Sequence, residues 1–170
     1  MRPSEEDEYR RYVVARMDRL RRSAYLLCHN WHTADDLVSV TIGKLYRNWH
    51  QAQAAEHIDA YVRTILMRCW LDEQRRPWRR EYAVHEVPDL PAAEHSEVLD
   101  RATLLQLLAR LTPRRRAAVV LRFYFDLTVE ETADVLGCST GTVKSLTARG
   151  LEAMRARAAE LANSGTGETP

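Results

Sequence analysis

Thr142, Lys144, Ser145, Ala148 and Arg149 share one side of a segment with helical periodicity, while Val143, Thr147, Gly150 and Met154 share the other. Lysine and arginine donate to guanine O6/N7 or to phosphate, and serine can serve either partner. Such a face is suited to reading a DNA major groove. Three residues upstream of it, Gly137-Cys-Ser139, make a tight turn, and Gly137 suits the left-handed cap of a preceding helix. That helix opens at Thr128-Val-Glu-Glu131, the pattern of a reciprocal capping box, and Ala133 supplies a small residue where the two helices must cross. Residues 128–154 therefore predict a helix-turn-helix. Arg114-Arg-Arg116 and Arg122 lie just before it, where phosphate contacts are expected.

A second concentration of chemistry lies between residues 58 and 80. Ile58, Tyr61, Val62, Ile65 and Cys69 form an apolar stripe, and Arg68, Asp72, Arg75 and Arg76 fall off it. Trp70 and Trp78 are interleaved with the arginines. Bases stack on aromatic rings while arginine follows the phosphates, so this composition suits single-stranded DNA.

Histidine and cysteine do not assemble a catalytic group. His29, His32, His50 and His57 lack a partner cluster, and His29-x-x-His32 sits too near a helix start for a good metal site. The three cysteines, Cys28, Cys69 and Cys138, have neither disulfide-framework nor CxxC spacing. Cys69 on an apolar stripe reads as inert core. No nucleophile–base pair is legible, so no enzymatic activity, cofactor or metal is expected.

The elements that hold these residues are helical throughout. No stretch sustains the period-2 alternation of a strand. Tyr12, Val13, Met17, Leu20, Ala24 and Leu27 mark a first helix. Thr33-Ala-Asp-Asp36 approximates a capping box, followed by Val38, Ile42, Leu45 and Trp49 on one stripe. Leu104, Leu107, Leu108 and Leu111 mark a further helix. Thr112-Pro113 then starts another, which carries Ala117, Val120, Leu121 and Tyr124.

The 170 residues carry a net charge of only +1. Its distribution is uneven: 15 basic residues against 11 acidic over 1–80, none against 6 over 81–100, and 10 against 7 over 101–170. The acidic strip also holds Pro88 and Pro91 and lacks a helical period, which predicts a linker. The expected fold is all-α: two small helical domains, residues 1–80 and 98–160, joined by a flexible acidic linker over 81–97, with a disordered tail over 161–170. The N-terminus is acidic without an apolar run, and no segment approaches the roughly 20 apolar residues of a membrane span, so a cytoplasmic protein without membrane insertion is expected.

Taken together, these segments resemble the extracytoplasmic-function (ECF) class of bacterial RNA polymerase sigma factors. Thr33-Ala-Asp-Asp-Leu-Val38 with Lys44-Leu-Tyr-Arg-Asn-Trp49 resembles the segment that docks on the polymerase clamp. Ala60-Tyr-Val-Arg-Thr-Ile-Leu66 through Arg76 resembles the helix that opens and reads the −10 element. Leu111-Thr-Pro-Arg-Arg-Arg116, Val120-Leu-Arg122, Thr128 to Gly137 and Gly141-Thr-Val-Lys-Ser145 resemble the −35-binding domain. The short linker leaves no room for the middle domain of housekeeping sigma factors.

The resemblance implies a set of roles. Asp35, Asp36, Leu37, Lys44, Tyr46 and Trp49 would form the core-polymerase face and its support. Arg63, Arg68, Trp70, Arg75, Arg76 and Trp78 would lie near the melted −10 strand. Arg114, Arg122, Thr142, Lys144, Ser145 and Arg149 would meet the −35 duplex. Partners would be core RNA polymerase through its β and β′ subunits, promoter DNA and an anti-sigma factor. The acidic strip would run in the RNA-exit channel. Ser39 and Val40, Arg68, and Leu146 depart from the family pattern, which often has Gln and an acid, Asn, and a polar residue there. The rival reading, a stand-alone helix-turn-helix regulator, leaves the Asp35-Asp36 helix and the arginines of 68–80 unexplained.

Overall fold

The computed structural model describes residues 2–75 and 96–164. The chain divides into two units, Met1–Arg79 and Arg80–Pro170, and every described element is helical or a turn.

In the first unit, α1 (Pro3–Cys28) packs on α2 (Trp31–Arg47), and α2 packs on α4 (Ile58–Gln74), with the short α3 (Trp49–Ala54) between them in sequence. The core is built from side chains such as Leu27, Leu45, Val62, Leu66, Met67 and Trp70, each no more than 1% exposed. The start of α2 differs from the sequence expectation. Its cap is Asn30, not Thr33: Asn30 is extended and its side-chain oxygen accepts from the Thr33 N–H at 3.0 Å. The helix therefore begins three residues earlier than Thr33 would have set it. His29, in the left-handed region at φ 56°, makes the break before it, and its N–H caps the Tyr25 carbonyl at 2.8 Å. At the far end the Asn48 side chain donates to the Lys44 carbonyl at 2.8 Å, so the stripe Val38, Ile42, Leu45, Trp49 is split and Trp49 opens α3.

The second unit contains α5 (Ser96–Ala109), α6 (Pro113–Val119), a π-helical turn (Val120–Tyr124), α7 (Val129–Leu136) and α8 (Thr140–Ser164). Ser96 and Glu97, read from sequence as linker, are helical, and α8 continues through 161–164, read as tail. The remaining linker residues and 165–170 lie outside the described residues. Pro113 occupies the first turn of α6 as expected. The π-helical turn, with Phe125 N–H bonded to the Val120 carbonyl at 3.1 Å, rotates the chain so that Tyr124 is exposed rather than continuing the apolar face. Where α8 crosses α6, Gly150 permits close approach: a Cβ there would lie 2.9 Å from Val119 Cγ2.

Arg116 has a structural task that its place in a basic run conceals. Its guanidinium donates to the two last carbonyls of α5, those of Leu108 (2.9 Å) and Ala109 (2.8 Å), and to that of Leu111 just beyond the helix (3.1 Å). Carbonyls at the end of a helix lack intrahelical donors, and Arg116 satisfies them here, sharing that of Leu108 with the Leu111 N–H. Replacing Arg116 with alanine is expected to destabilise the second unit by about 2 kcal/mol, measured by urea unfolding, because hydrogen bonds to a charged group contribute roughly 1.5–3 kcal/mol. The exposed neighbour Arg114→Ala should change stability by under about 0.5 kcal/mol.

Candidate functional site

The helix-turn-helix is assembled by local chemistry. Thr128 Oγ1 accepts from the Glu131 N–H at 3.1 Å, and the Glu131 carboxylate accepts from the Thr128 N–H at 2.7 Å, closing the capping box of α7. Gly137 ends α7 in the left-handed conformation at φ 61°. Ser139 Oγ accepts from the Thr142 N–H at 3.1 Å and so caps α8. Val143, fully buried, and Gly150 fix the inward face of α8. Thr142, Lys144, Ser145, Ala148 and Arg149 are exposed together on its outer side, Thr142 in the electropositive first turn of the helix. Thr142 Oγ1 is shared with Ser139 Oγ at 2.9 Å. Leu146, where the family pattern often has a polar residue, is half-buried, because it sits at the edge of the inward face.

The arginines before the motif divide. Arg114 is exposed. Arg122 is half-buried, and its Nη1 donates to the Leu127 carbonyl, bracing the turn into α7. A phosphate contact from Arg122 is therefore limited to what that bond leaves over.

In the first unit, Arg68 and Arg75 are exposed on α4 and Arg63 is half-buried. Arg75 lies 3.7 Å from Asp72 in an exposed i,i+3 pair. Trp70 does not join them. Its side chain is 1% exposed, because the buried face of α4 runs through Val62, Leu66, Cys69 and Trp70 rather than along the Ile58–Tyr61–Ile65 side. A base cannot reach that ring while the core is intact, so Trp70 is a core residue and not the stacking platform its place among the arginines predicts. Arg76 and Trp78 lie outside the described residues.

On α2 the two acids differ. Arg21 holds Asp35 with two bonds, Nε–Oδ1 at 2.6 Å and Nη2–Oδ2 at 3.0 Å. The Arg21 guanidinium also lies 5.4 Å from the Trp31 ring centre, and Trp31 stacks on Tyr25 at 4.2 Å. Asp36 projects into solvent, with Oδ2 3.8 Å from His32 Nε2. Leu37 is buried, Lys44 half-buried and Tyr46 exposed. Trp49 is buried edge-on to Tyr9, 5.5 Å between ring centres, and Tyr9 is also edge-on to Tyr46 at 5.1 Å, so the aromatics brace the α2–α3 junction from beneath. Sequence reasoning missed Trp31 and Arg21. Ser39, one of the departures from the family pattern, donates to the Asp35 carbonyl within its own helix at 2.8 Å.

Asp59, in the first turn of α4, ties that helix to α1 by accepting from the Tyr12 hydroxyl (2.7 Å) and Arg16 Nε (3.1 Å). Partial burial pushes its carboxyl up, but the bonds from Tyr12 and Arg16 and the nearby charges outweigh this and hold it below the usual range. Burial followed by the bond to Asp59 raises the Tyr12 phenol. The hydrogen bonds from Arg21 likewise hold Asp35 low. Both carboxylates bind protons less readily folded than unfolded. Their contribution is present above the ordinary carboxylate range, near pH 4, and is lost as pH falls through the lowered folded values. Urea midpoints should therefore fall on acidification from pH 6 to pH 3, and Asp59→Asn should make that fall shallower.

Comparison with known proteins decides the family. Residues 12–80 match the family "Sigma-70 region 2" and residues 101–154 match "Sigma-70, region 4". The chain is 34% identical over 149 residues to the RNA polymerase sigma-E factor of Streptomyces coelicolor, covering 87% of this chain and 84% of that one. It belongs to the ECF sigma factors. The sigma factor is also 35% identical over 147 residues to the ECF RNA polymerase sigma factor SigE of Mycolicibacterium smegmatis, covering 81% of this chain and 56% of that longer one. Its fold is that of the sigma factor RpoE crystallised with the anti-sigma factor NepR from Bartonella quintana (TM-score 0.69, 22% identity, 87% of this chain and 94% of that one). It is also that of CnrH, solved with the cytosolic domain of CnrY (TM-score 0.63, 18% identity, 91% and 90%). As a sigma factor, the protein binds core RNA polymerase and promoter DNA and directs promoter-specific initiation. Among the described residues no helix is long and apolar enough to cross a membrane.

Proposed function

We propose that the two units divide promoter recognition between them. Residues 1–80 bind core polymerase and open the −10 element, residues 96–164 read the −35 element, and the acidic stretch 81–95 tethers them. The observation that carries this reading is the exposed strip Thr142, Lys144, Ser145 and Arg149 opposite buried Val143 and Gly150. It presents donors for base edges and phosphates near a helix N-terminus. Arg114 extends the strip's phosphate contacts, and Arg122 contributes chiefly by bracing the turn.

On α4, Arg68 and Arg75 contact the displaced −10 strand, with Arg63 at their edge and Arg76 and Trp78 following in the chain. Flipped bases held by protein offset an unstacking cost of a few kcal/mol without ATP. On α2, Asp36 faces the β′ subunit, with Tyr46 and Lys44 beside it. Asp35 is held in place by Arg21, while Leu37 and Trp49 support the helix from the core. The second unit engages β, so each domain has a polymerase contact as well as a DNA contact.

The sigma factor acts in the cytoplasm, as a subunit without catalysis of its own. An anti-sigma factor controls it, as the NepR and CnrY complexes of the two structural relatives suggest.

Site-specific photo-crosslinking in the open complex tests the division. Probes at positions 68 and 75 are expected to label −10 strand nucleotides, probes at 145 and 149 the −35 duplex, and a probe at 36 the β′ subunit. Labelling of −35 DNA from position 68, or none from 145 and 149, would overturn it.

A further inference from the structure

Glu8, Tyr12, Arg16 and Arg19 fall at i, i+4, i+8 and i+11 on α1, a polar stripe along one side of that helix. Each member meets the hairpin of α3 and α4. The Gln53 side chain donates to Glu8 Oε2 at 2.6 Å, close to the turn between the two helices. The Tyr12 hydroxyl and Arg16 Nε converge on Asp59 Oδ1, and Arg19 Nη1 lies 3.7 Å from Asp59 Oδ2. Arg16 also sits over the Tyr12 ring, 5.9 Å from its centre, so members of the stripe hold one another.

The start of α4 depends on these ties. His57, its N-cap, makes no side-chain capping bond. The buried apolar face of the helix begins at Val62. Before that point the ties are polar: Asp59 to α1, and the Tyr61 hydroxyl to Gln51 Oε1 at 3.2 Å. Asp59 is the stronger anchor, because its carboxylate accepts charge-assisted bonds and sits in the first turn, at the positive end of the helix dipole. A helix is a stiff rod rising about 1.5 Å per residue, so Arg68 and Arg75 lie about 14 Å and 24 Å beyond Asp59. At about 100° per residue they stand on the side of α4 away from Asp59. A shift of the first turn is carried along the rod to both arginines, although Asp59 is not on their face.

We infer that the α1 stripe governs promoter opening through Asp59: by fixing the first turn of α4, it places Arg68 and Arg75 against the displaced −10 strand. Asp59 is a positioning residue, and Tyr12, Arg16 and Arg19 hold it. The inference rests on the proposal that Arg68 and Arg75 contact that strand.

The test uses the full-length protein with core polymerase and reads two quantities, core affinity and the rate at which the −10 element becomes reactive to permanganate. Asp59→Asn, which keeps size and removes charge, is expected to slow opening about tenfold, the level at which hydrogen bonds to charged groups contribute. Core affinity should stay within about twofold of wild type, because surface substitutions away from a contact have small effects. Tyr12→Phe should slow opening severalfold in the same manner. Glu6→Gln removes a bond within α1, to Arg10, and should open at the wild-type rate. Arg68→Ala alone should slow opening, and adding Asp59→Asn to it should slow opening less than about twofold further, because residues that act through one another are not additive. Effects that multiply would separate Asp59 from Arg68 and overturn the inference. Loss of opening in step with loss of core affinity would also overturn it, since a merely destabilised first unit behaves that way. Unchanged opening in Asp59→Asn, with Arg68→Ala slow, overturns the stripe's part and leaves the −10 face in place. Normal opening in Arg68→Ala overturns both.

Discussion

Alanine at both Lys144 and Arg149 is expected to reduce transcription from a −35-dependent promoter by roughly thirtyfold or more. Each direct base contact is worth about 1–3 kcal/mol, and about 2 kcal/mol in total is already a thirtyfold change. The two substitutions should separate by kind. A side chain that reads a base relaxes preference at one position, whereas a side chain that meets phosphate weakens all sequences alike and flattens the salt dependence. Both residues are exposed on α8, so unfolding midpoints should not move. Arg157, further along the same helix and paired with Glu160 at 2.6 Å, is the control, and its alanine variant should transcribe within about twofold of wild type. Full activity of the double variant would remove the outer face of α8 from DNA recognition.

Trp70→Ala is expected to cost the first unit about 3–5 kcal/mol, the range for deleting a large aromatic from a core. That is a large part of the stability of any small domain, so the variant should lose core binding and −10 recognition together, through unfolding. Urea denaturation followed by circular dichroism would register it as an early first transition with the second unit unaffected. Arg68→Ala is the contrasting case: an exposed residue on the same helix, expected to leave stability within about 0.5 kcal/mol while impairing promoter opening. Trp70→Ala protein that is stable but cannot melt DNA would return Trp70 to the role its position beside arginines first suggested.

The contrast between these two residues shows what the sequence makes legible. Helix existence follows from apolar periodicity, and the helix-turn-helix was readable because its signals are local: the Thr128–Glu131 box, Gly137 at positive φ, and the inward spacing of Val143 and Gly150. The orientation of α4 was not. Its apolar residues extend around much of the cylinder, so the stripe through Ile58, Tyr61, Val62, Ile65 and Cys69 does not reveal that Leu66 and Trp70 also belong to the buried face. Only packing against α2 decides that Trp70 goes inside.

Arginine is equally ambiguous in one dimension. Arg114, Arg116 and Arg122 look alike in sequence, but Arg116 secures the end of α5 and Arg122 braces the turn before α7, because carbonyls lie within reach only once the chain has folded back. Asp35 and Asp36 are adjacent and chemically equivalent until α1 brings Arg21 to one of them. The start of α2 moved from Thr33 to Asn30 because either side chain can cap a helix, and the left-handed turn at His29 selects the earlier one. In each of these places a polar side chain has two physically sound partners, and tertiary structure chooses between them.

Run-off transcription with core RNA polymerase, this protein and a library of promoter fragments tests the central claim most directly. Transcripts that require the protein, start at a defined set of sequences, and lose their dependence on the −35 element when Lys144 and Arg149 are replaced are the predicted result. Core polymerase that gains no promoter selectivity on adding the protein would contradict the account.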